Sequence, residues 1–178
     1  MICLYKGARG KGKTLTMVRD AYKFYLKGYN VLTNIEMSFG KTISNDDILK
    51  LDKNSEIFNA VLIIDEIQIF FDSRRHARKE NLNFSNFIQQ IRKRNIHILC
   101  TTQYSNTIDL RLRQHLDILA LPDFIKELNV CAVKYIDLTS LENDVFQNMN
   151  LGQEIKEVKI VYDATPIFKM YNTGEMVR

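Results

Sequence analysis

The chain has 178 residues, with 25 Lys and Arg against 21 Asp and Glu, and three cysteines. That length suits one domain, residues 1–178, with a proper core, and the slight basic excess permits a polyanionic partner without requiring one. Cys3, Cys100 and Cys131 stand far apart with no C-x-x-C pair, which argues against a zinc site or a disulfide framework. No apolar run has the length of a membrane span and no signal peptide is evident, so an intracellular, soluble protein is expected.

Ile2-Cys3-Leu4-Tyr5 is a short apolar run of the kind a buried parallel strand shows. It leads into Gly7-Ala8-Arg9-Gly10-Lys11-Gly12-Lys13-Thr14, a complete G-x-x-x-x-G-K-[ST] phosphate loop. The glycines let successive N–H groups face a polyphosphate; Lys13 can reach the β- and γ-phosphates, and the Thr14 hydroxyl can ligand Mg²⁺. Leu15 follows the motif as the last expected nucleotide-binding position. From there Val18, Tyr22, Tyr25 and Leu26 recur at helical spacing until Gly28 stops the run. Strand, loop and helix thus arrive in the order a nucleotide site requires. Because the loop starts at residue 7, no domain is expected ahead of it, and any grip on a cargo falls to loops, the C-terminal third or another chain.

Further along, 30–35 reads as a second strand and 45–51 as a short capped helix. The stretch 58–64 is nearly all apolar and ends in Asp65-Glu66, followed by a polar, arginine-rich stretch over 72–80. Phe84, Phe87, Ile88 and Ile91 mark one face of a helix whose other face carries Gln89, Gln90, Arg92 and Lys93. A fourth strand over 96–100 runs into Thr101-Thr102-Gln103. A short helix around 108–114 leads to a strand over 116–121. Beyond Pro122, 130–136 and 158–162 read as antiparallel additions. His76, His97 and His115 are scattered and read as structural or surface residues. The alternation of strands and helices predicts a three-layer α/β fold with a mostly parallel sheet.

An acid at the end of an apolar strand lies at the carboxyl edge of the sheet, where open α/β sheets bind ligands. Asp65 is expected to hold the Mg²⁺ shell, and Glu66 to orient and polarise the attacking water. That division suits hydrolysis better than transfer to a small acceptor. If the fourth strand lies between the first and third, Gln103 stands beside Asp65 and can contact the γ-phosphate or the water.

With these elements placed, the chain resembles the FtsK–HerA superfamily of P-loop ATPases. Within it, the chain is similar to the small genome-packaging ATPases of membrane-containing double-stranded DNA viruses, archaeal ones included, and to zonula occludens toxin-like ATPases. The resemblance rests on 7–14, 62–73, 92–103 and 171–177, above all on a basic helix end running into a strand that stops at Thr-Gln. It implies a RecA-like core, ATP and Mg²⁺ as cofactors, and a homo-oligomeric ring that pumps duplex DNA into a preformed capsid. It also implies capsid or internal-membrane proteins as partners, in host cytoplasm or virion. An arginine donated in trans is implied as well, for which Arg92 and Arg94 are candidates and Arg111 and Arg113 rivals. The basic run with Arg74, Arg75, Arg78 and Lys79 follows the catalytic strand and is the expected DNA contact, gripping phosphates without reading sequence.

Three alternatives stand beside this reading. A zonula occludens toxin-like motor would instead export filamentous phage through a membrane. The run Ile64-Asp65-Glu66-Ile67-Gln68-Ile69-Phe70-Phe71 also resembles the carboxylate strand of zinc-bearing thymidine kinases, whose paired cysteines this chain lacks. The third is a non-catalytic nucleotide-dependent scaffold, against which Glu66 speaks.

Overall fold

Strands that are apolar on both faces need cover on both faces, and the centre of this protein is built from three of them. The computed structural model describes residues 1–51, 56–70, 86–104, 110–139, 156–172 and 174, with Leu110 and Arg111 described by backbone alone. Its strands are β1 (Ile2–Lys6), β2 (Asn30–Thr33), β3 (Lys41–Thr42), β4 (Ala60–Ile64), β5 (Ile96–Thr102), β6 (Ile118–Ile125), β7 (Val130–Asp137) and β8 (Glu157–Asp163). They form one eight-stranded sheet in the order β3-β2-β4-β5-β1-β6-β7-β8. Pairing is parallel from β3 through β6, and antiparallel where β7 and β8 are added. The helices are α1 (Lys13–Leu26), α2 (Asn45–Leu49), α3 (Leu110–Gln114) and α4 (Thr165–Phe168).

Alternation along the central strands splits the core in two. Ile2, Leu4, Leu62, Ile64, Ile98 and Cys100 face one layer, where Ile48, Phe87, Ile88, Ile91 and Leu112 cover them. Cys3, Tyr5, Val61, Ile63 and Leu99 face the other, covered by Leu15, Met17, Val18 and Ala21 of α1 and by Ile167 of α4. The three-layer arrangement expected from the order of elements is therefore present, with β5 between β1 and β4.

Several boundaries differ from the sequence reading, each for a local reason. β4 starts at Ala60 because Asn59 adopts a left-handed conformation, φ 47°, and its N–H and carbonyl bond to Arg94 and Asn30. β2 ends at Thr33, whose hydroxyl accepts from the Ile35 N–H at 3.1 Å and turns the chain out of the sheet. β3 is too short for any periodic signal. Helical backbone covers 86–88, with turns continuing to 95, so among the described residues the helix expected around Phe84 to Ile91 gives way to turns after Ile88; residue 84 and the start of the 108–114 segment lie outside the described residues. β6 does not stop at Pro122 but runs on to Ile125. Past Ala120 it has outgrown β1 and pairs with β7 alone, and on such a one-sided strand a residue without an N–H is accommodated.

Two long-range ties close the structure. At the amino edge of the parallel strands, Asp117 accepts from the Ile2 N–H at 2.6 Å and from Arg92 Nη2 at 2.9 Å. At the carboxyl edge, the chain after α4 is strapped to the segment after β2: the Ser38 N–H donates to the Met170 carbonyl at 2.8 Å and Asn172 N–H to Glu36 at 3.2 Å. Met37 and Tyr171 form a β-bridge between them.

The antiparallel ribbon is fixed to α1 through buried Asp20. Its carboxylate accepts from Tyr5 Oη at 3.0 Å, Tyr135 Oη at 2.5 Å, Arg19 Nη1 at 3.0 Å and Lys23 Nζ at 2.8 Å. Burial pushes both phenols well above their ordinary pKa, so they remain donors. Removing this shared acceptor strands the two phenol hydroxyls and the mostly buried Arg19, while the half-exposed Lys23 turns to water. Asp20→Ala is expected to cost about 3 kcal/mol, a fall of roughly 6–12 °C in Tm by thermal denaturation.

Candidate active site

The phosphate loop leaves β1 beside the end of β5, where the Gly7 N–H meets the Thr102 carbonyl at 3.4 Å. Gly10 and Gly12 take φ values of 81° and 82°, a region glycine enters without strain. Gly12 is also packed from outside: a Cβ there would lie 3.1 Å from Cys131 Sγ and 3.2 Å from Phe124 Cβ. Glycine at this position therefore answers both to backbone conformation and to the ribbon pressed against it. Gly12 caps α1 with no side chain of its own, so the N–H groups and positive dipole end of the helix face the cleft. Lys13 Nζ rests on the Ala8 carbonyl at 3.1 Å. Burial lowers its pKa, against the opposing pull of Asp65 and Glu66. Arg9 lines the same cleft, whereas Lys11 is occupied at the surface by Asp123, 2.7 Å away.

Facing the loop, the end of β4 is held by its neighbours on either side. Asn34, from the chain after β2, clamps the Asp65 backbone: its Oδ1 accepts from the Asp65 N–H at 2.8 Å and its Nδ2 donates to the Asp65 carbonyl at 3.1 Å. From β5, the fully buried Thr101 hydroxyl donates to Asp65 Oδ1 at 2.6 Å and accepts from the Glu66 N–H at 2.9 Å. Glu66 itself sits in the left-handed region at φ 56°, ψ 58°, a strained conformation for a residue with a side chain. Gln103 Nε2 then donates to Glu66 Oε1 at 3.1 Å.

Thr14 Oγ1 lies 3.0 Å from Asp65 Oδ1. Desolvation raises the Asp65 carboxyl above its ordinary pKa, opposed by the hydrogen bonds from Thr101 and Thr14. A hydroxyl and a carboxylate converging from two elements, with the carboxylate short of solvent, is a hard-oxygen pair that fits Mg²⁺. The nest of loop N–H groups fits a polyphosphate. The cleft they border has a volume of about 780 Å³ and continues past Leu15, Ile35, Phe124, Lys126, Phe168 and Tyr171.

Lys13, Thr14, Asp65, Glu66 and Gln103 are thus assembled in one place by the order β4-β5-β1. The arginines are elsewhere. Arg92 bonds Asp117 and Arg94 bonds Gln90 at 2.9 Å while lying 5.7 Å over the Phe58 ring, both at the amino edge, opposite Lys13. Arg113 is half-buried on α3. The Arg111 side chain and the basic run of Arg74, Arg75, Arg78 and Lys79 lie outside the described residues. Sequence reasoning overlooked Asn34, Thr101, Phe124, Phe168 and Tyr171. Thr101 stood in plain sight as a hydroxyl at the end of the strand beside Asp65, and Tyr171 opens the 171–177 stretch with no role read into it; the other three lie far from any motif.

A phosphate loop and a carboxylate pair at the carboxyl edge of a mostly parallel sheet define a P-loop ATPase of RecA-like fold. The chain belongs to the zonular occludens toxin (Zot) family, whose model matches residues 1–174. No curated protein sequence matches it. Among solved structures it is similar to the N-terminal domain of zonular occludens toxin from Neisseria meningitidis, at 20% identity and TM-score 0.63, covering 96% of this chain and 98% of that one. It is also similar to B204, the DNA-packaging ATPase of Sulfolobus turreted icosahedral virus, at 13% identity and TM-score 0.54, covering 88% and 95%. The genome-packaging NTPase B204 of Sulfolobus turreted icosahedral virus 2, in complex with ATP-gammaS, gives 13% identity and TM-score 0.53, covering 88% and 95%. Among the described residues no helix is long and apolar enough to cross a membrane.

Because burial raises Asp65 above its unfolded value, its ionised form at neutral pH burdens the empty fold, and that burden lifts as pH falls through the folded pKa. Asp65→Asn is therefore expected to raise the Tm of the nucleotide-free protein at pH 7. The same variant should lose the further rise that Mg·ATP gives the wild type. Thermal melts with and without Mg·ATP read both effects.

Proposed function

We propose that the protein is an ATP-hydrolysing motor of virus assembly that moves duplex DNA into a preformed capsid. The observation that carries the hydrolytic part is the Gln103–Glu66 contact beside the Thr14–Asp65 pair. In this reading the loop N–H groups and Lys13 bind the β- and γ-phosphates. Thr14 and Asp65 would hold Mg²⁺, which neutralises phosphate charge when bound. Glu66 orients the attacking water and takes its proton, while Gln103 fixes the rotamer of Glu66 and stands where it meets either the water or the γ-phosphate. The strained backbone at Glu66 serves this by turning its side chain off the strand and into the cleft.

DNA movement, a ring of copies, the capsid or internal-membrane partner and location in host cytoplasm or virion are part of the same proposal. The similarity in fold to the two packaging NTPases supports them. The basic run at 74–79, directly after the carboxylate strand, is the proposed grip on DNA phosphates. The family match over 1–174 favours a second reading, in which the same ATPase core drives phage assembly and export as in zonula occludens toxin-like motors.

Glu66→Gln tests the chemistry. Turnover of ATP, read as phosphate release, should fall about 10²–10⁴-fold while ATP affinity stays within a few-fold. Unchanged turnover would reject Glu66 as the group that handles the water. Duplex DNA separates the two readings of cargo: a packaging motor speeds up on it, whereas an export motor's turnover is indifferent to it.

An arginine acting in trans must reach a neighbour's cleft, and the amino-edge position of Arg92 and Arg94 suits a residue that serves a site other than its own. Alanine at each of Arg92, Arg94, Arg111 and Arg113 should reveal one variant that loses on the order of 10³ in turnover yet binds ATP normally. Since Arg92 also holds Asp117, its variant is judged beside its own Tm. If none of the four behaves so, no arginine of this set acts in trans.

A further inference from the structure

The phosphate loop accounts for one end of the cleft; the other end is aromatic, and nothing in the hydrolytic reading uses it. Phe124 and Phe168 line it, their ring centroids 5.5 Å apart and their planes at 80°. Both rings are half-buried, so each keeps exposed surface. Phe124 comes from the part of β6 that overhangs β1, and its Cβ is 3.2 Å from where a side chain on Gly12 would begin. An aromatic wall therefore starts directly beside the helix N-terminus, on the side of β1 away from Asp65.

The wall is held from several directions. The turn after β6 is pinned to α4 by the Asn129 carbonyl, which accepts from the Ala164 N–H at 2.9 Å, and by Asn129 Nδ2 on Thr165 Oγ1 at 2.5 Å. Just ahead of α4, Asp163 Oδ1 accepts from the Thr165 N–H at 2.8 Å, and Pro166 occupies the first turn of the helix. The strap at Met170 to Asn172 fixes the exit of α4. Two phenyl rings so anchored, both lining a cleft about 780 Å³ in volume and set edge to face, form an aromatic surface made in advance of any ligand.

A nucleoside triphosphate seated on the loop with its γ-phosphate toward Asp65 and Glu66 must direct its base the opposite way, because the chain of phosphates runs past Lys13 and Thr14. That way lies the aromatic pair. We infer that Phe124 and Phe168 form the base subsite of this ATPase, a platform on which the base of the nucleotide stacks. The inference rests on the reading of the loop as a nucleotide site. Stacking uses the π-face that every base has, and the larger purine ring system covers more of such a platform than a pyrimidine does. Purine triphosphates should bind more tightly than pyrimidine ones, with ATP and GTP separated by far less.

The test compares ATP with inorganic tripolyphosphate, which keeps the phosphate contacts and lacks a base. Binding of each is measured by calorimetry to the wild type, Phe124→Ala, Phe168→Leu and Phe168→Tyr. Phe168→Leu keeps apolar volume but removes the ring; Phe168→Tyr keeps the ring. Expected is a loss of about tenfold in ATP affinity for Phe124→Ala and Phe168→Leu, with tripolyphosphate unchanged and Phe168→Tyr close to wild type. Equal losses for both ligands would mean that the rings only support the phosphate loop, and would overturn the inference. So would ATP affinity unchanged in both ring-deleting variants. A wild type that binds neither ligand rejects the nucleotide reading itself, a result distinct from either of these.

Discussion

The geometry of the site depends on one hydroxyl. Thr101 Oγ1 gives its proton to Asp65 and receives the N–H of Glu66, so a single buried atom sets both the carboxylate and the backbone turn that follows it. A buried hydroxyl must satisfy its own bonding, and here it does so only with β4 in register against β5, Ile64 opposite Cys100. Slip that register by one residue and Thr101 would point into the other layer of the core. The placement of an acid, the strain at Glu66 and the reach of Gln103 all follow from that pairing.

The two edges of the sheet are treated in opposite ways. At the amino edge charges are matched: Asp117 has Arg92 and the Ile2 amide, and the site is closed. At the carboxyl edge Asp65 is buried with hydroxyls as its direct partners, and Lys13 rests on a carbonyl. Stability alone would favour neutral groups there. On the proposed reading function keeps them charged, with Asn34 holding the Asp65 backbone and Thr101 its carboxylate despite that cost.

Much of this was legible in the sequence. The loop motif, the acid at the end of an apolar run and the Thr-Gln strand end each carry local chemistry that pattern reading recovers, and alternation of elements gave the layers. What escaped was whatever depends on distant pieces meeting. Asn34 falls inside the expected strand 30–35 and carries no signal of its own until the chain leaves β2 at Thr33 and is placed beside β4. Phe124 looked as though it lay beyond a strand, because proline is a sound stop signal unless the strand has outgrown one neighbour. Phe168 and Tyr171 belong to a tail whose position is fixed by backbone bonds that no side-chain pattern announces.

That tail also bears on how the protein comes to exist. The cleft is bordered at one end by Gly10 to Leu15 and at the other by Phe168 and Tyr171, which are far apart in sequence. During synthesis the phosphate loop leaves the ribosome well before the facing wall. Contacts of such sequence separation are slow to form, since loop closure precedes any return from them. The aromatic end of the cleft is therefore added to the phosphate loop only once the segment carrying Phe168 and Tyr171 has been made and docked.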